Sequence, residues 1–334
     1  MGAFGLYTHI QANNIRSAIL LAGFPLLLIG IVYALTLGLI GAGYLPSSGT
    51  MVGDFALAFR MMAAGAPLAI LVSLIWFAIA YFANTRIIDA LTGAHPVTRQ
   101  EQPELYNLLE NLCISRGIPM PSLRIIDSEA LNAFASGMNE KQYSITVTRG
   151  LMQALDRAEM EAVLGHELTH VVNRDVRTMI IASVFAGIIT LIAQLLFRAV
   201  QFGGLRGGSK NGKGGGGFFV LIALAVAAVG YVLAIVIRMA LSRSREFVAD
   251  AGAVELTRNP DAMIGALRKI SGGTETLDAP ESVQAMFLEN GRSGVMDIFA
   301  THPPIEKRIA ALVKYAGGVD TPSPTVVAGN GPWG

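Results

Sequence analysis

Long apolar runs alternate with polar stretches along this chain, and the runs set its organisation. Ala18 to Ile40 is 23 residues without a charge, and Ala63 to Phe82, Thr178 to Phe197 and Phe218 to Ile237 are 20 uncharged residues each. About 20 apolar helical residues cross the roughly 30 Å hydrocarbon core of a bilayer, so each run is long enough to span it. A single run could be the core helix of a soluble protein. Four in one chain predict a multi-pass α-helical membrane protein. The first run is too long for the apolar part of a secretory signal, and only Arg16 precedes it as a fixed positive charge, so it reads as a retained span.

The runs divide the chain into five parts. Residues 1–83 read as a hairpin of two spans (about 18–40 and 63–82) joined over 41–60. A polar region, 84–177, precedes a second hydrophobic hairpin, 178–237. A second polar region, 238–315, reads as mostly helical and ends in a disordered tail, 316–334. Within the first polar region TRQEQPELYNLLENLCISRGI predicts a helix opened by Thr98, with Leu105, Leu108, Leu109 and Leu112 along one face. PSLRIIDS predicts a strand. NAFASGMNEKQYSITVTRGL predicts two more around a turn at Gly137 to Lys141, with Tyr143, Ile145 and Val147 alternating on the last. DRAEMEAVLGHELTHVVNRDV predicts a long helix capped by Asp156. The Gly-rich stretch at 201–217 is a flexible linker; it lacks the GxxxxGK[ST] spacing and the preceding strand of a phosphate-binding loop.

Composition agrees with the membrane reading: hydrophobic residues are 52% and charged residues 15%, where a soluble domain carries about 25% charged. A net charge of +1 gives no basis for a nucleic-acid partner. The lone Cys113 has no partner for an internal disulfide and reads as a small buried hydrophobe.

The candidate chemistry lies in LGHELTHVVNRDV, residues 164–176. Positions four apart share a helix face, so His166 and His170 can present imidazole nitrogens to one ion. Glu167, one residue round the helix, is placed to hold a water without ligating the metal. The composition yields on the order of 0.003 accidental H-E-x-x-H matches. A catalytic zinc takes three protein ligands and keeps one position open. SRSREFVAD offers Glu246 as the third, with Asp250 one turn on to accept a hydrogen bond from a ligand histidine ring. Two carboxylates at i and i+4 repel unless something positive lies beside them. The alternative is an exposed acidic face neutralised by Arg243 and Arg245. Counting along unbroken helices places His170 and Glu246 about 12–14 Å beyond the ends of spans three and four, at the same height.

GHELTHVVNRD, SRSREFVADAGA, NAFASG and THPPIEKRI together resemble the HtpX family of membrane zinc metalloproteases, which is related to the CaaX prenyl proteases. The resemblance runs from the first two spans to about residue 315. It implies a mainly helical α+β catalytic domain of the zincin (gluzincin) type with a small β-sheet. It also implies one Zn2+ per chain and a bacterial cytoplasmic-membrane endopeptidase whose catalytic domain faces the cytosol and clears misfolded membrane proteins under stress. By that resemblance His166, His170 and Glu246 would bind zinc, Glu167 would be the general base and Asp250 would orient His166. His302 would stabilise the charged oxygen of the transition state, and Asn132, Ala133 and Phe134 would lie on the strand that takes the substrate. Read from the residues alone, Asn132 fits a turn and His302 a cap before Pro303. A processing protease for a defined substrate such as a prenylated peptide, and a metal-binding membrane scaffold without turnover, are the alternative functions. The partners expected are unfolded membrane-protein substrates and the lipid bilayer.

Overall fold

The computed structural model describes residues 6–41, 43, 45–181, 230, 245–273, 275, 277, 287–288 and 303–320. The second hydrophobic hairpin beyond residue 181, its linker and His302 lie outside the described residues. The chain forms two compact units: residues 17–82 with 184–237, and residues 1–16, 83–183 and 238–334.

In the first unit, α1 (Leu6–Gly41) and the start of α2 (Met51–Thr92) pack through Leu37, Ile40 and Ala58. Helix α2 starts at Met51, well inside the connection expected over 41–60. The Asp54 carboxylate explains the early start: it accepts from Ser47 Oγ at 2.8 Å and from Ser48 N at 2.6 Å, gathering the preceding turn against the helix N-terminus. Met51–Ile79 is the one helix among the described residues long and apolar enough to cross a membrane. Leu68, Leu71, Leu74, Ile75 and Trp76 are all exposed along it.

The second unit is mostly helical with a small mixed sheet in the order β1-β2-β4-β3. Strand β1 (His95–Pro96) runs antiparallel to β2 (Ser122–Ile126), β2 parallel to β4 (Ser144–Thr148), and β4 antiparallel to β3 (Ala133–Ser136). The last three strands fall within the segments expected to form them, and only the last was marked by alternation; β1 is an addition too short to leave a sequence signal. Helix α3 (Pro103–Arg116) begins five residues after Thr98. Thr98 is engaged in its own turn, donating from N and Oγ1 to Glu101 Oε2 at 2.7 and 2.8 Å. Pro103, lacking an N–H, suits the first helical position.

A short α4 (Arg149–Ala154) leads into α5 (Arg157–Val172), the expected histidine helix. Asp156 closes a full capping box: its side chain accepts from Glu159 N, and Glu159 accepts from Asp156 N. The helix does not run on unbroken to Val176. It stops at Val172, Arg174 takes a left-handed φ of 59°, and α6 restarts at residue 175. Residues 245–257 form α7, followed by α8 (Pro260–Ser271) and α9 (Ile305–Ala316). Ala162, Ala253, Met263, Ile264, Leu267, Ile305, Ile309 and Leu312 form one core from α5, α7, α8 and α9. Residues 317–320, expected in the disordered tail, are pinned to α8: Val319 N donates to Asp261 Oδ1 at 2.7 Å and Arg268 holds Asp320.

Helices α5 and α7 touch through their smallest residues. A Cβ on Gly165 would stand 3.4 Å from Ala253 Cα, and one on Gly252 would stand 2.4 Å from Thr169 Cγ2. The Thr169 hydroxyl is tied to Gly165 O at 2.8 Å, so the side chain has little room to give. Gly252→Ala therefore forces the two helices apart and should cost about 1–3 kcal/mol, whereas Gly165→Ala should cost clearly less. Thermal unfolding of both variants in detergent checks the order.

Candidate metal centre

Every residue of α5 from Ala162 to Val171 is buried, so the polar side chains of the H-E-x-x-H segment lie in the protein interior and must find partners there. The partner helix is α7, held against α5 by the small-residue contact. His166 Nε2 and His170 Nε2 are 3.2 Å apart. Glu246 reaches both, Oε2 to His166 Nε2 and Oε1 to His170 Nε2, each at 3.5 Å. These three residues can each offer one atom to a common point. A tetrahedral zinc with bonds of about 2.0–2.1 Å would set its ligand atoms roughly 3.3–3.4 Å apart. The donor set and its spacing fit such an ion.

Each imidazole meets a carboxylate on its other side. His166 Nδ1 lies 3.0 Å from Asp250 Oδ1, and His170 Nδ1 lies 3.2 Å from Asp175 Oδ2. Arg308, brought from α9 by Ile305 and Ile309, grips Asp250 with both arms of its guanidinium: Nε donates to Oδ2 at 2.9 Å and Nη2 to Oδ1 at 2.6 Å. Its Nη1 lies 3.4 Å from Glu246 Oε2. Arg245 Nη1 donates to the Asp175 carbonyl at 3.3 Å. Glu167, Glu246, Asp250 and Asp175 are buried together with Arg308 and Arg245.

Burial and these close partners together set the protonation of the cluster. Burial works against a charged His166 ring, but the Asp250 and Glu246 carboxylates outweigh it and push its pKa up to about 9. Burial also pushes the Glu167 carboxyl above the ordinary glutamate range, against the pull of His166 and His170. Asp250 is held below its usual range: burial opposes ionisation, and the Arg308 charge and hydrogen bonds overcome it.

The structure thus brings His166, Glu167, His170, Glu246 and Asp250 into one cluster. The expected alternative, an exposed acidic face on Arg243 and Arg245, is not what α7 shows: Glu246 and Asp250 are 2% exposed, and their counter-ion is Arg308. Asn132, Ala133 and Phe134 stand at the start of the edge strand β3, beside α5. Thr148 Oγ1 fixes this end, accepting from Asn132 N at 3.0 Å and donating to Ala130 O at 2.5 Å. The edge carries a stretch of the chain itself. Leu288 N donates to Ala133 O at 2.9 Å and to Asn132 Oδ1 at 3.0 Å, and the Phe287 ring lies 5.3 Å from that of Phe134. Sequence reasoning missed Arg308 and Asp175. Both stand inside motifs quoted for other residues, THPPIEKRI and HVVNRD.

The profile of Peptidase family M48 matches residues 99–316. A "Protease HtpX homolog" of Bacteroides fragilis (strain YCH46) is 43% identical over 326 residues, covering 93% of this chain and 99% of the relative. Another, from Leuconostoc citreum, is 37% identical over 313 residues, covering 92% and 99%. Among solved structures, the crystal structure of S. mikatae Ste24p aligns at 19% identity with a TM-score of 0.42, covering 92% of this chain and 66% of that one.

Arg308→Met would leave Asp250 buried without its guanidinium. In the presence of a chelator the variant should lose about 3–5 kcal/mol of stability, and Arg308→Met with Asp250→Leu should recover part of it. Chemical denaturation of the two variants tests the pair; unchanged stability in Arg308→Met would show that it contributes nothing.

Proposed function

The chain belongs to peptidase family M48 and is a metalloprotease, and on that premise we propose that it is a zinc endopeptidase of the bacterial cytoplasmic membrane that cleaves misfolded or damaged membrane proteins. The observation that carries the reading is the buried His166–His170–Glu246 set, with its ligand-atom spacing and a buried carboxylate on the far side of each ring. Zinc held by these residues would polarise the scissile carbonyl and bring the pKa of a water toward 7.

The chain's own residues supply the rest. Glu167 follows His166 directly and lies in the same buried cluster. Its carboxylate takes the proton of the attacking water and delivers it to the leaving amine. Asp250 fixes the ring of His166 by holding the hydrogen on Nδ1, at 3.0 Å, so that Nε2 is left to bind. His302 is assigned the charged oxygen of the transition state. In its support, it stands directly before Pro303 and Pro304, which lead into the helix that carries Arg308. An extended substrate pairs with the edge of β3 through Asn132, Ala133 and Phe134, in exchange for the contact now made by Leu288. Recognition through backbone hydrogen bonds suits unfolded substrates of varied sequence. The apolar Met51–Ile79 helix supports a bilayer location, and the bacterial relatives support the cytoplasmic membrane. The catalytic unit faces the cytosol, as the family resemblance implies.

The test is cleavage of an unfolded protein by detergent-purified chain, stripped with chelator and reloaded with zinc. Wild type should cleave only with zinc. Glu167→Gln should bind zinc as wild type does and lose about 10²–10⁴-fold in rate. Equal cleavage by the two would remove Glu167 from the chemistry, and wild-type cleavage that survives chelation would remove the metal.

A further inference from the structure

The sequence expectation gives a carboxylate partner to His166 and none to His170, yet the structure gives one to each. The Nδ1 atom of each meets a buried carboxylate, and each carboxylate has a buried arginine beside it. The His166 arm uses Asp250 and Arg308. The His170 arm uses Asp175 and Arg245, which nothing in the H-E-x-x-H pattern calls for.

Local geometry explains how Asp175 gets there. Five residues further along an unbroken helix, a side chain points about 140° away from His170. The chain avoids this by ending α5 at Val172, placing Asn173 as its C-cap and turning Arg174 to φ 59° before helical residues resume at 175. A left-handed residue that carries a Cβ is disfavoured and persists where the surroundings fix it, often at functional sites. Here the turn carries the Asp175 carboxylate back to His170 Nδ1. The plain alternative is that Asp175 exists to neutralise Arg245. The distances speak against it: the hydrogen bond from Arg245 goes to the Asp175 backbone carbonyl at 3.3 Å, and its Nε stays 3.9 Å from the carboxylate. The carboxylate itself is closer to His170, at 3.2 Å.

We infer that Asp175 is the positioning residue of the second metal histidine. Its carboxylate accepts the Nδ1 hydrogen of His170, directs Nε2 toward His166 and Glu246, and strengthens the ring as a ligand; Arg245 anchors the Asp175 backbone. The inference rests on the metal reading of His166, His170 and Glu246. Carboxylates in this position contribute about 10–100-fold to metal affinity.

The experiment measures zinc affinity of the full chain in detergent by competition with a chromophoric chelator, and the visible spectrum of the cobalt-substituted protein. Wild type is compared with His170→Ala, Asp175→Asn and Asp175→Ala. Asp175→Asn, which keeps the shape of the side chain, should bind zinc about tenfold more weakly. It should shift the cobalt bands and melt like wild type under chelation. Asp175→Ala should lose more, up to about a hundredfold. If Asp175→Ala melts early under chelation, Asp175→Asn decides alone. His170→Ala binding zinc like wild type would sink the metal reading itself. His170→Ala losing zinc while Asp175→Asn matches wild type in affinity and cobalt spectrum would overturn the role of Asp175 and leave that reading intact.

Discussion

Burying a charge is expensive unless a partner is buried with it, and the catalytic unit is organised around that constraint. Glu167, Glu246, Asp250 and Asp175 are all sunk beside two histidines, with Arg308 and Arg245 as their buried counter-ions. His166, His170 and Glu246 could hold a cation between them, and the surrounding contacts bring the three together. The helices must approach closely enough for a carboxylate on one to reach imidazoles on the other. Gly165 and Gly252 allow this by putting backbone where side chains would otherwise stand.

The remaining elements hold the cluster from outside. The core of α5, α7, α8 and α9 fixes α9 so that Arg308 reaches Asp250 without exposure to water. The capping box at Asp156 and the packing of α5 on β3 set the start and direction of the histidine helix. The same packing brings the edge of β3 beside that helix, so backbone groups able to pair with an extended chain lie along the element that carries the chemistry. Leu288 already donates to one of those groups.

Much of this was legible in the sequence because it is local. The H-E-x-x-H spacing, the Asp156 cap and the alternation in YSITV depend on residues within a turn or a strand of one another. The errors came where local signals compete or distant residues decide. Thr98 is a good cap, but Glu101 captures it in a turn and Pro103 starts the helix instead. The histidine helix reads as continuous through VVNRDV, because no glycine or proline announces the left-handed turn at Arg174. Arg308 is 142 positions from His166, and nothing in IEKRIAAL distinguishes a guanidinium buried on a carboxylate from one in solvent. The like-charge pair Glu246–Asp250 was the one clue that a cation had to arrive from elsewhere.

Two imidazoles from α5 and one carboxylate from α7 should surround a single zinc when the protein is loaded with the metal. X-ray absorption of the zinc-loaded protein in detergent tests it most directly. The expected spectrum has a first shell of nitrogen and oxygen at about 2.0–2.1 Å, with outer scattering from two imidazole rings. A sulfur at about 2.3 Å, or a shell without imidazole scattering, would contradict it.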